Sequence, residues 1–226
     1  MTEPRMVEVR RKVLKENDLR ARRLRDRFQS AGTRVISLVS SPGSGKTTLL
    51  ERLLTDLRRE HRIAALVGDL ATENDAVRLA RSGAPVKQIT TGTVCHLDAS
   101  MVERALEGWP VEEVNYLFIE NVGNLVCPSS FDLGENLRLV LVSTTEGEDK
   151  PLKYPTIFNT SDVAIITKLD MAEAAGIDMD SLARNIHGVR PGIPIFKVSA
   201  RTGYGIEQLE QFLTSTRNEL KVAQGQ

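Results

Sequence analysis

The chain has 226 residues, enough for one generous α/β domain with a buried core, and its 30 basic and 30 acidic residues cancel. That balance, with aromatic residues at only 4%, argues against a nucleic-acid partner or an anionic membrane surface. No charge-free apolar run is long enough to span a bilayer and the N-terminus is charged rather than signal-like, so a cytoplasmic protein is expected.

Residues 1–33 are highly charged, with sparse apolar positions at Val7, Val13, Leu14, Leu24 and Phe28. They predict a helix or two closed by Gly32 as a C-cap, forming an N-terminal helical extension. From 34 to 221, short apolar runs alternate with helical patterns: RVISLV, RIAALVG, PVKQIT, YLFIEN, LRLVLVS, VAIITK and IPIFKVS. Runs apolar at nearly every position, separated by helices, mark strands buried on both faces. The fold class expected is α/β, a doubly wound and mostly parallel sheet, whose ligands bind in the loops at the carboxyl ends of the strands.

The first run ends in SSPGSGKTTLL. Gly43 and Gly45 allow a tight turn with N–H groups aimed inward, and a helix starting at Lys46–Thr47 adds its dipole to the anion nest. This is a phosphate loop, with Gly43, Ser44, Gly45, Lys46, Thr47 and Thr48 as nucleotide-binding residues. Lys46 would reach the β- and γ-phosphates, and the Thr47 hydroxyl would ligate Mg²⁺. Ser40 stands where G-x-x-x-x-G-K-S/T has its first glycine, which matters only if that backbone needs a positive φ.

Two acids end later strands, Asp69 in ALVGDLATENDA and Glu120 in YLFIENVGNL. A carboxylate there, beside a phosphate loop, suits a Mg²⁺ ligand or a water-orienting group. For Asp69 the alternative is the N-cap of a helix opened by DLATEND. Gly123, in E-N-V-G, would allow a γ-phosphate-sensing loop. Between these acids lies TVCHLD, which sets Cys95 beside His96, and beyond Glu120 comes the second cysteine, Cys127. In a reducing compartment a structural disulfide is not expected. Two thiolates and an imidazole make a soft-ligand set for Ni²⁺ or Zn²⁺. From spacing alone, that reading and a pair of buried thiols with an ordinary histidine stay equally open.

Further on, ITKLD resembles the N-K-x-D guanine element, with Thr167 in place of Asn. Asp170 would accept two hydrogen bonds from guanine, for which adenine offers no donor pair, and the Lys168 stem would pack along the base or ribose. VSARTG (Ser199, Ala200, Arg201) resembles the S-A-K loop that contacts the guanine oxygen, so GTP is preferred to ATP. His61 and His187 match no motif and read as surface histidines on helices.

Taken together, SSPGSGKTTLL, TGTVCHLDA, FIENVGNLVCPSSFDLGE and STTEGEDKPLKYP resemble the HypB family, the hydrogenase maturation GTPases that help insert nickel. The resemblance implies a P-loop NTPase of the SIMIBI type with slow GTP hydrolysis, for which no arginine finger stands out. It implies a metal site of Cys95, His96 and Cys127, near or across a GTP-dependent homodimer interface. It also implies catalytic roles for Lys46, Asp69 and Glu120, and a lysine, Lys150 or Lys153, that approaches the phosphates in the dimer. GTP, Mg²⁺ and Ni²⁺ or Zn²⁺ are the implied cofactors. The implied partners are a HypA-type nickel metallochaperone and the hydrogenase large subunit precursor. Residues 1–33 contain no Cys or His, so no N-terminal nickel store is expected there. Three alternatives remain: a urease-type nickel accessory GTPase (although its C-P-H element is missing), a metal-binding module with structural nucleotide, and a small-molecule kinase.

Overall fold

The computed structural model describes residues 5–70, 74–109 and 111–224, with side chains described from Glu8 to Ser215 within those ranges. The chain opens in one helix, α1 (Arg5–Ala31), ended by Gly32 in the left-handed conformation at φ 67°. One helix thus stands where one or two were expected. The side chain of Val7 lies outside the described residues.

Among the described residues seven strands follow: β1 (Arg34–Ser40), β2 (Ile63–Asp69), β3 (Val86–Thr90), β4 (Tyr116–Glu120), β5 (Leu137–Ser143), β6 (Val163–Thr167) and β7 (Ile195–Lys197). Each falls in one of the seven apolar runs. They form a single sheet in the order β3-β2-β4-β1-β5-β6-β7, and every pairing is parallel rather than mostly so. Crossovers run through α2 (Lys46–Leu57), α3 (Asn74–Ala80), α4 (Ala99–Ala105), α5 (Lys150–Lys153), α6 (Pro155–Asn159), α7 (Ala172–Ala175) and α8 (Met179–Val189). The last helix is α9 (Ile206–Gln224).

The apolar runs have a simple cause. β1 is buried at all seven positions because both faces of the sheet are covered. Ile36 and Leu38 pack with Leu50 and Leu53 of α2 and Leu209 of α9. On the other face Val35 meets Leu24 and Phe28 of α1 and Val102 of α4, while Val39 meets Phe158 of α6 and Ile186 of α8. The charged first helix therefore shares the core, through a narrow apolar stripe.

One acid works against the fold. Burial, with Asp56 beside it, pushes the Glu210 carboxyl up to about 7, against the help of Arg52 and Arg59. The folded chain then keeps a proton that the unfolded chain releases from about pH 4.5 upward, so stability falls as pH rises from 4.5 to about 7. Solvent screening of this half-exposed group reduces the cost to about 1 kcal/mol. Glu210→Gln is expected to raise Tm by about 2–4 °C at pH 8 and to leave it unchanged near pH 5. Thermal melts at the two pH values check this, and an equal shift at both contradicts it.

Candidate nucleotide and metal site

β1 and β4 lie side by side at the centre of the sheet with Leu38 opposite Glu120, so the phosphate loop and Glu120 emerge on one carboxyl edge. Gly43 and Gly45 take φ values of 74° and 88°, which side chains other than glycine rarely adopt. Ser40 does not share this need: Lys168 is the only described non-glycine residue with a positive φ. Lys46 and Thr47, opening α2, both turn to Glu120. Lys46 Nζ lies 3.3 Å from Glu120 Oε1, and Thr47 Oγ1 donates to the same oxygen at 2.7 Å.

Glu120 is 1% exposed. Burial pushes its carboxyl up, while Lys46 and the Thr47 hydrogen bond oppose that push. Its other oxygen, Oε2, is buried with no hydrogen-bond partner. An orphaned carboxylate oxygen beside a threonine hydroxyl suits a hard cation, so the residues fit Mg²⁺. Asp69 closes β2 and accepts from Leu70 N at 2.6 Å. Its capping alternative falls partly on residues 71–73, outside the described residues.

Residues 43–48, Asp69, Gly123 and Lys168 line one cleft of about 550 Å³. Gly123 abuts the loop closely, since a Cβ there would sit 3.0 Å from Pro42 Cα. Asp75 and Arg78 of α3 also line the cleft, and the sequence did not single them out. Arg78 is held by Glu51 at 2.7 Å and by Thr48 at 3.0 Å.

Thr167 has a role of its own here. Its hydroxyl donates to Ser44 O at 2.5 Å and ties the end of β6 to the phosphate loop. Lys168, left-handed at φ 55°, lays its stem against the loop, where a Cβ on Gly45 would be 3.7 Å from its Cε. Asp170 accepts from Ser199 Oγ at 2.6 Å and lies 4.0 Å from Arg201, so the two expected guanine elements meet. Ala200 follows in the same loop.

Cys95 and His96 lie between β3 and α4, and Cys127 opens a 3-10 turn after β4. The ligand atoms of all three lie within 4.8 Å of one another, with both thiols free and 3.1 Å apart. Asn121 and Asn124 join the two loops. Asn121 Oδ1 accepts from Leu97 N at 3.0 Å, and Asn124 Nδ2 donates to Cys95 O at 3.1 Å. The His96 ring lies 4.0 Å from that of Phe131, and its Nδ1 is buried without a partner. Burial lowers the His96 pKa and keeps the imidazole neutral, as a ligand must be. The hydrogen bond that Cys95 donates to Cys127, with burial, pushes the Cys95 thiol up. Two thiols converging with an imidazole whose Nδ1 has no partner fit a metal better than a pair of buried thiols.

Lys150 and Lys153 belong to α5 and are not among the residues lining the cleft. Lys150 pairs with Glu146 at 3.2 Å, and Lys153, 63% exposed, pairs with Asp149 at 2.6 Å. His187 is exposed on α8 as expected. His61 is not on a helix: it lies in the turn after α2, edge-on to Tyr116 at 5.1 Å. Asn121, Asn124 and Phe131 were not singled out in the sequence. The only signal was a pair of asparagines beside an apolar strand, where an amide must find partners.

Residues 34–197 match the CobW/HypB/UreG nucleotide-binding domain family. The hydrogenase/urease maturation factor HypB of Helicobacter hepaticus is 43% identical over 215 residues, 93% of this chain and 88% of that protein. Among solved structures, HypB from Helicobacter pylori in complex with nickel superposes with a TM-score of 0.85 at 41% identity, covering 90% of this chain and 96% of that one. HypB from Archaeoglobus fulgidus gives 0.84 at 38% identity, covering 90% and 99%. No described helix is long and apolar enough to cross a membrane.

Proposed function

The chain belongs to the CobW/HypB/UreG family and, within it, to the HypB maturation factors, and on that footing we propose a GTP-hydrolysing carrier that helps insert nickel into a nickel–iron hydrogenase. The observation that carries this is the convergence of Cys95, His96 and Cys127, the last on a segment that lines the phosphate cleft at Val122 and Gly123.

The N–H groups of residues 43–47 and the Lys46 ammonium bind the β- and γ-phosphates. Mg²⁺, when bound, neutralises phosphate charge, and Thr47, Asp69 and Glu120 would hold it. Asp170 accepts from guanine N1–H and the exocyclic amine, with Ser199 and Ala200 closing that side. Nickel is the cargo of Cys95, His96 and Cys127, although zinc suits the same donors.

Coupling arises from chain continuity. The segment after Glu120 packs on Pro42 at Gly123 and reaches Cys127 four residues later. Loss of the γ-phosphate moves that segment and changes how Cys127 faces Cys95 and His96. GTP and metal then alter each other's affinity reciprocally, by about 1–3 kcal/mol.

A GTP-dependent homodimer would bring two such loops together, with Lys150 or Lys153 reaching the partner's phosphates. A HypA-type metallochaperone supplies the nickel, and the hydrogenase large subunit precursor receives it. Turnover is slow, because the arginine at the cleft, Arg78, is engaged with Glu51 and Thr48. Free thiols and GTP suit a cytoplasmic setting. A second reading, urease maturation, is favoured by the double names of the Helicobacter hepaticus and Helicobacter pylori relatives.

Nucleotide choice tests the reading. The wild-type chain is expected to hydrolyse GTP in preference to ATP. Asp170→Ala is expected to weaken GTP by about a hundredfold, the worth of two hydrogen bonds to a charged group, and to leave ATP unchanged. Equal wild-type use of GTP and ATP contradicts the guanine assignment.

A further inference from the structure

We propose that Asn17 of α1 is a positioning residue for the Cys95–His96–Cys127 cluster, taking that cluster as the proposed metal site. The docked face of α1 presents Asn17, Ala21, Leu24 and Phe28, each no more than 5% exposed, at helical spacings. Three of these are apolar and anchor the helix. A buried amide among them is costly unless its hydrogen bonds are made.

Both are made, and both end in the ligand-bearing segments. Asn17 Oδ1 accepts from Ala99 N at 2.9 Å, three residues beyond His96. Asn17 Nδ2 donates to Asp132 O at 2.9 Å, next to the Phe131 ring that lies on His96. One side chain thus spans the segment that continues from Cys95–His96 and the segment that continues from Cys127.

Neighbouring contacts fix the second segment on the same helix. Arg25 pairs with Asp132 at 2.7 Å. Gly134, at φ 81°, lies so close that a Cβ there would sit 2.8 Å from Ala21 O. The apolar packing of α1 needs no amide at position 17. What the amide adds is a set separation between two loops, and metal affinity depends steeply on where supporting groups hold their ligands.

Asn17→Leu keeps the side chain's bulk and removes both bonds. It is expected to weaken Ni²⁺ binding about tenfold or more and to shift the thiolate-to-nickel charge-transfer absorption of the loaded protein. GTP affinity and turnover without added nickel should stay within about twofold, because Asn17 touches nothing at the cleft. Asn17→Asp keeps the acceptor for Ala99 N and loses the donor to Asp132 O. It should fall between wild type and Asn17→Leu, and it carries the test if Asn17→Leu does not fold.

Ile206→Val on α9, across the sheet, reports what mild destabilisation alone does. Unchanged nickel affinity and spectrum in both Asn17 variants overturn the proposal, as does an equal loss in Ile206→Val. If the wild-type chain binds neither nickel nor zinc, the metal assignment fails and the positioning role with it. If wild type binds and the Asn17 variants match it, the positioning role alone fails.

Discussion

Replacing Lys46 by alanine is expected to lower GTP turnover at saturating nucleotide by about 10²–10³-fold, the usual loss when one preorganised charge is removed from a developing anion. Lys46 is largely buried at the mouth of the phosphate loop, its ammonium 3.3 Å from Glu120. In the folded chain it contacts Glu120, and in the proposed reading it also meets the phosphates. Its loss leaves Glu120, already pushed up by burial, without its only ion-pair partner among the described residues. The charge that opposes the upward push of burial is then gone, so a candidate magnesium ligand is weakened along with the phosphate contact. Phosphate release by the purified variant, with circular dichroism to verify folding, measures the effect. A loss under about threefold would remove Lys46 from the chemistry.

The second large effect is expected at Cys127. Cys127→Ala should weaken Ni²⁺ binding by about a hundredfold or more. Structural zinc sites of four ligands reach about 10–16 kcal/mol, or roughly 3 kcal/mol for each ligand. The substitution also releases Cys95, whose thiol is held up chiefly by its hydrogen bond to Cys127. In the wild-type chain each metal must displace thiol protons, so affinity should rise with pH through neutrality. That rise should be shallower in the variant, where one thiol is gone. Metal titration at two pH values checks both. Wild-type affinity in Cys127→Ala would mean that the three donors meet without sharing an ion.

Much of this was legible because it is local. Five buried strands and the two part-exposed edge strands, β3 and β7, write themselves as seven apolar runs, and a phosphate loop is a stretch of eight residues. Other features are set by strand order. Cys95 and Cys127 meet because the strands before them, β3 and β4, both pair with β2, an arrangement that residue spacing does not encode. Thr167 read as a departure from the guanine pattern, yet it donates to Ser44, 123 positions away. The docking of α1 is not legible for a similar reason: its stripe of Ala21, Leu24 and Phe28 is narrow, and Asn17 finds its partners 82 and 115 positions along the chain. His61 read as helical because Arg58–Glu60 continue the polar pattern of α2, but the helix stops at Leu57.

The central claim is that the cleft and the cluster are one device. The most direct measurement is the Ni²⁺ affinity of the purified chain with GDP and with a non-hydrolysable GTP analogue, each at saturation. A difference of about five- to 150-fold between the two states, abolished in Cys127→Ala, is the expected result. Equal affinities in both states would contradict it, leaving a GTPase and a metal site that share a sheet and nothing else.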